Sequence, residues 1–87
     1  MLIIYKIDDG SIVSISGFGK GSVITPELVD AIKLVDPLPE GQAEYRIYDP
    51  MLMDKIWEAN DRGAVLTVAL DGNGNPIGVM ADGTMIV

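Results

Sequence analysis

The sequence predicts an α+β domain: a mainly antiparallel sheet with two helices packed on one face, in the order β-β-α-β-α-β-β-β. Three observations predict it. Short runs rich in Ile and Val alternate with Asp-Gly and Asn-Gly turns at both ends, in "LIIYKIDDGSIVSISG" and "AVLTVALDGNGNPIGVMADGTMIV". Two internal stretches, "TPELVDAIKLV" and "DPMLMDKIWEANDR", each begin with a capping residue followed by proline and carry apolar residues at helical spacing. The chain is 87 residues long, one domain spanning 1–87, with no low-complexity tract and no internal repeat.

In the opening hairpin, Ile3, Ile4, Tyr5 and Ile7 favour one strand and Ile12, Val13 and Ile15 the next. Asp9-Gly10 reads as a two-residue turn with both residues at positive φ, which would pair Ile7 with Ile12 and Ile4 with Ile15. Apolar groups then fall on both strand faces, so the strands are buried on both sides or offer a self-associating edge.

The first helix is expected over residues 26–35. Thr25 can accept a first-turn amide, and Pro26 at the first helical position loses no bond. Leu28, Ala31, Ile32 and Val35 form its inward stripe, with Leu34 on the opposite side. Pro37 disfavours helix at Asp36, and "DPLPEGQ" becomes an extended connector. "EYRIYDP" reads as a strand, and Asp49-Pro50 starts a second helix. Leu52, Met53, Ile56 and Ala59 face inward there, and Gly63 supplies the left-handed residue that ends it. Three closing strands form a meander, and the edges of the whole sheet are expected to be open to a partner strand.

Composition removes whole classes of chemistry. The chain has no Cys and no His, which excludes thiol redox motifs, Ser-His-Asp and Cys-His nucleophiles, and zinc sites built on either residue. The formal charge of −7, with six Lys and Arg, leaves too few cations for the basic face that direct nucleic-acid binding needs. Dense acidic rows that could mimic nucleic acid are also missing, since Asp8-Asp9 is the one adjacent acidic pair. "MLIIYKIDDG" lacks the basic start and the long apolar run of a signal peptide, and no stretch nears the roughly 18 apolar residues of a membrane helix. The expected setting is the cytoplasm, with no membrane partner.

"SGFGKGS", residues 16–22, lies between a strand and a helix, where many proteins hold phosphate. A phosphate loop needs Gly-Lys followed directly by Ser or Thr, but Gly21 follows Lys20 here. A dinucleotide fingerprint needs a parallel βαβ unit, and this strand belongs to a hairpin. The loop therefore reads as a connector, with Lys20 and an exposed Phe18 as its candidate contact residues. "DGNGNPIGVMAD" imitates the start of a calcium loop through Asp71, Asn73 and Asn75, yet Pro76 stands where that loop requires glycine. A hairpin turn explains it better, and neither a metal nor a cofactor is expected. Asp8, Asp9, Asp49 and Asp54 fall at turns or helix starts, where capping accounts for them. No catalytic set emerges, so the expectation is a protein without enzymatic activity.

Trp57 borders the inward stripe of the second helix. With Leu34, Leu38 and Met51 it is expected to stay accessible and contribute to a protein-binding patch. The candidate partner-binding residues are thus Phe18, Lys20, Leu34, Met51 and Trp57.

The two ends, "MLIIYKIDDGSIVSISG" and "VLTVALDGNGNPIGVM", resemble the strand, Asp-Gly or Asn-Gly turn, strand pattern of small bacteriophage and prophage accessory or tail-associated proteins. The resemblance implies a virion component or an accessory protein that binds a host factor. The expected function is a non-enzymatic interaction domain that self-associates or binds a host or virion protein. Two alternatives belong to other classes: a protein sequestering a nucleotide signal on the 17–21 loop, and an acidic inhibitor of a nucleic-acid-binding defence protein.

Overall fold

A computed structural model describes residues 1–34 and 36–87. Its elements follow the expected order: β1 (Leu2–Lys6), β2 (Ile12–Ser16), α1 (Pro26–Asp30), β3 (Gln42–Arg46), α2 (Pro50–Asp61), β4 (Leu66–Leu70), β5 (Pro76–Ala81) and β6 (Thr84–Met85). The class is α+β, and all strand pairing is antiparallel. The strands divide into two sheets instead of one, ordered β2-β1-β3 and β4-β5-β6. A bridge between Ser11 and Thr67 joins them, and the Val68 N–H donates to the Gly10 carbonyl at 2.7 Å.

β1 occupies the centre of its sheet, which explains its unbroken apolar run. Leu2, Ile3, Ile4 and Tyr5 are all buried, so both faces of the strand are covered. Ile3 and Tyr5 share one core with Val68 and Val79 of the second sheet and with Val29, Met53 and Ile56 of the helices. The two sheets and two helices thus share one hydrophobic cluster, while Leu2 and Ile4 are buried outside it on the other face of β1.

The opening hairpin keeps its strands but not the expected register. Ile3 lies opposite Ile15, Ile4 opposite Ser14 and Tyr5 opposite Ile12, with a bulge between Ile4 and Tyr5. Ile7 to Gly10 form a four-residue loop, closed by Gly10 N–H to Lys6 O (2.8 Å) and Lys6 N–H to Ser11 O (2.9 Å). Gly10 alone has positive φ, +75°. Asp9 instead accepts the Ser11 N–H on its carboxylate at 2.8 Å, in an Asx turn. The longer loop carries the Gly10 carbonyl to Val68, an opportunity that local turn preferences do not register.

α1 is shorter than expected and presents a different face. It ends at Asp30, and the Arg46 guanidinium secures the chain there by donating to the carbonyls of Val29 (2.6 Å) and Ile32 (2.9 Å) just before and after that end. Val29 is the buried residue, whereas Leu28 is 43% exposed and Ala31 is exposed. Ile32 is half-buried, and Val35 lies outside the described residues. The cap is as read: Thr25 Oγ1 accepts the Leu28 N–H at 3.3 Å.

β3 begins two residues before the expected "EYRIYDP" strand. Its line of pairing continues past Arg46 through reciprocal bonds between Met1 and Ile47, at 2.8 and 2.9 Å. α2 starts at Asp49-Pro50, with the Asp49 carboxylate accepting the Met51 N–H at 2.8 Å, and Gly63 follows its end at φ +80°. Met53, Ile56 and Ala59 are buried as expected, and Leu52 is half-buried. Among the described residues, no helix is long and apolar enough to cross a membrane.

Candidate interaction surfaces

The glycine-rich loop between β2 and α1 lies against α2. Asp54, Trp57 and Glu58 stand at positions i, i+3 and i+4 and so share one helix face. Each holds one loop residue. The Trp57 indole N–H donates to the Phe18 carbonyl at 2.7 Å, and the Asp54 carboxylate accepts the Gly21 N–H at 2.9 Å. The Lys20 ammonium sits 3.0 Å from the Glu58 carboxylate. That hydrogen bond to Glu58, reinforced by the charges of Glu58, Asp61 and Asp54, holds the lysine above its ordinary pKa. The groups an anion would need, a free lysine and a free amide, already serve two carboxylates of the same chain.

This arrangement separates the five residues singled out from the sequence. Phe18, Lys20 and Trp57 meet in the loop clamp. Phe18 is half-buried against the core instead of exposed, because the indole bond draws its backbone down onto α2. Trp57 is half-buried against the core as well, its polar edge spent on that bond. Leu34 and Met51 are exposed as expected, at 38% and 71%, on the segment after α1 and at the start of α2. Leu38 is half-buried. Two substitutions weigh the clamp. Trp57→Phe should lower unfolding free energy by about 1 kcal/mol through loss of a part-buried hydrogen bond. Lys20→Ala, at a solvated ion pair, should leave the urea midpoint nearly unchanged.

The acidic motifs resolve into turns. The Asp71 carboxylate accepts the N–H of Asn73 (2.8 Å) and of Asn75 (2.9 Å), closing the β4–β5 turn. Among the described residues, no three potential ligands converge on one point, the Asp71 segment included. Bonds from the Asn75 and Asn73 amides hold the Asp71 carboxyl below its ordinary 3.8, and the Ser11 amide does the same for Asp9. A carboxylate with a lowered folded-state pKa stabilises the fold fully above the unfolded value and loses that contribution as pH falls through the folded value. Carbon-detected NMR titration should therefore place both midpoints below 3.8, and the cost of Asp71→Ala should shrink below that pH. Midpoints at or above 3.8 would contradict these turns.

An open cleft of ≈ 530 Å³ lies beside the opening loop, lined by Lys6, Ile7, Asp8, Glu40, Gly41 and Gln42. It sets one ammonium among two carboxylates, and no polar side chain among the described residues is buried in a way that would orient a reactant.

The sheet edges differ sharply. The Met1–Ile47 bonds and the Ile7 N–H to Gly41 O bond show that odd-numbered residues of β1 turn their backbone groups toward β3. Even-numbered ones face β2, as Lys6 N–H to Ser11 O confirms. Ser14 and Ser16, opposite Ile4 and Leu2, therefore bond to β1, while Ile15 directs its N–H and C=O away from the sheet. Beside it, Val13 is the extra residue of the bulge and 48% exposed. No charge or proline protects this strand, "IVSIS". The opposite edge, β3, carries Glu44 and Arg46, paired at 3.5 Å. β4 is bridged to Ser11, and β6 is two residues long. Open edges are legible in the sequence, but which edge stays open is not. Residues 12–16 carry no charge, but neither do β4, β5 and β6, so no sequence signal singles out β2.

No protein-family model, no curated protein and no solved structure matches this chain.

Proposed function

We propose that this chain is a non-enzymatic protein-interaction domain that works by adding a partner strand to the open edge of β2. The outward backbone groups of Ile15, on an edge strand without charge or proline, carry the reading. In strand addition, main-chain hydrogen bonds supply affinity and alternate side chains supply selectivity. The remaining chemistry supports it: Asp9, Asp49 and Asp71 act as caps and turn closers, and no polar side chain among the described residues is buried. The resemblance of both ends to small phage and prophage proteins favours a virion or accessory role in the host cytoplasm.

Site-specific photocrosslinking tests the reading. A benzoylphenylalanine at Ser14 or Ser16 should capture protein, and one at Glu27, on the exposed side of α1, should not. Capture at Glu27 alone, or at no position, would end the proposal. The nucleotide alternative predicts ligand-induced thermal stabilisation that depends on Lys20. With Lys20 and the Gly21 amide already bound to Glu58 and Asp54, the expected result is no shift with any nucleotide.

A further inference from the structure

We infer that the strand completing this edge is β2 of a second copy of the chain, running antiparallel about a two-fold axis at Ile15. The inference rests on the strand-addition reading and adds the identity of the partner. Three features lead to it.

The first is the space available. β4 stands beside Gly10 and Ser11, through the Val68 N–H to Gly10 O bond and the Ser11–Thr67 bridge. An incoming strand therefore has access only from about residue 13 onward, and a long extended peptide would collide with β4. A second copy of β2 centred on Ile15 avoids that collision. Its residues 18 and 19 would lie opposite Ile12 and Ser11, but its strand has already ended at Ser16, where Gly17 turns the chain at φ +130°. Sliding the pair by two residues, so that Val13 faces Ile15, would bring Ser16 and Gly17 of the copy onto the ground β4 occupies. Sliding it the other way leaves fewer residues paired.

The second is the match of side chains in that register. Ile15 faces its own counterpart and exchanges two backbone hydrogen bonds with it. Ser14 faces Ser16 of the copy in the closely spaced type of antiparallel pair, where hydroxyls can bond across strands. Val13 lies opposite Gly17, where the copy's chain has already turned and no side chain stands in the way. A two-fold axis makes every such contact occur twice.

The third is charge. Two molecules of formal charge −7 repel wherever their acidic faces meet, and β2 brings no charged side chain to the junction. The pairing spans three strand residues per chain, Ser14 to Ser16, well short of the roughly 1,200–2,000 Å² of a stable complex, so the dimer should be weak and fill only at high concentration.

Sedimentation velocity on the full chain, from about 10 µM to about 1 mM, should show concentration-dependent dimerisation. The double variant Ser14→Lys with Ser16→Lys opposes like charges across the axis while lowering the net negative charge. It should dimerise at least about tenfold more weakly, as should Ser14→Glu with Ser16→Glu. Mixing the two variants should restore association as a heterodimer. A parent chain that stays monomeric to about 1 mM, or a lysine variant that dimerises like the parent, would overturn the inference. If the variants fail to fold, amide exchange at Ile15 in the parent decides: protection should rise with concentration, and constant protection refutes the second copy. Crosslinks from Ser14 to a different protein, with a monomeric parent, would refute the self-pairing and leave the strand-addition reading standing.

Discussion

Gly10→Ala should destabilise the domain by about 3 kcal/mol or more, the largest effect expected of so small a change. Two independent constraints meet at this residue. Its φ of +75° costs an L side chain roughly 1–2 kcal/mol. A Cβ there would also overlap the backbone carbonyl of Val68, so the chain must move away from β4. That movement strains the Val68 N–H to Gly10 O bond at 2.7 Å, worth about 1 kcal/mol, and with it the bridge between the two sheets. Gly74→Ala separates the two causes. Gly74 has nearly the same φ, +81°, but nothing within 4 Å of its added Cβ, so it should lose only the conformational part. Urea unfolding of both variants reads the difference, and equal losses would show that the close approach to Val68 does not matter. Because Gly10 sits where β4 shields the start of β2, its alanine variant should also lengthen the accessible part of the β2 edge. Increased aggregation is expected alongside reduced stability.

Ile56→Ala should cost about 3–4 kcal/mol. Ile56 is fully buried in α2 and belongs to the cluster that joins Ile3 and Tyr5 of the first sheet to Val68 and Val79 of the second. Removing three carbons there takes away both transfer energy and contacts, and the two sheets, pinned to each other at Ser11–Thr67, cannot readily close over the gap. A domain of this size has a total stability of roughly 4–13 kcal/mol, so the variant would lose a large share of it and should melt well below the parent. Ile56→Val should cost about 1 kcal/mol. If alanine costs less than about 1.5 kcal/mol, the cluster is not the shared core described above.

Much of this molecule is legible in its sequence because the signals are local. Asp49-Pro50 and Thr25-Pro26 start the helices as read, since a cap bond spans only two or three residues. Met53, Ile56 and Ala59 face inward because twelve helical residues are long enough for one stripe to prevail. The asparagine-rich turn after β4 closes on Asp71, whose carboxylate accepts hydrogen bonds from the Asn73 and Asn75 N–H groups.

Most of the misreadings involve a group far away in the chain. α1 stops after five residues, and Arg46, sixteen positions past its end, binds the carbonyls of Val29 and Ile32 there. With so short a helix, no stripe of spaced residues could choose its face, and Val29 turns inward in place of Leu28. The hairpin register follows from the reach of Gly10 toward Val68, and the loop at residues 17–21 takes its shape from Asp54, Trp57 and Glu58. The candidate site divides along the same line. Lack of charge in residues 12–16 can be read directly, but their standing at an open edge depends on the strand order β2-β1-β3 and on how far β4 covers them. Caps, turns and one long amphipathic stripe are short-range energies that neighbouring residues carry within themselves. Strand order, sheet division and the choice of exposed edge arise from hydrogen bonds between distant segments, whose partners are named only once the chain has closed around its core.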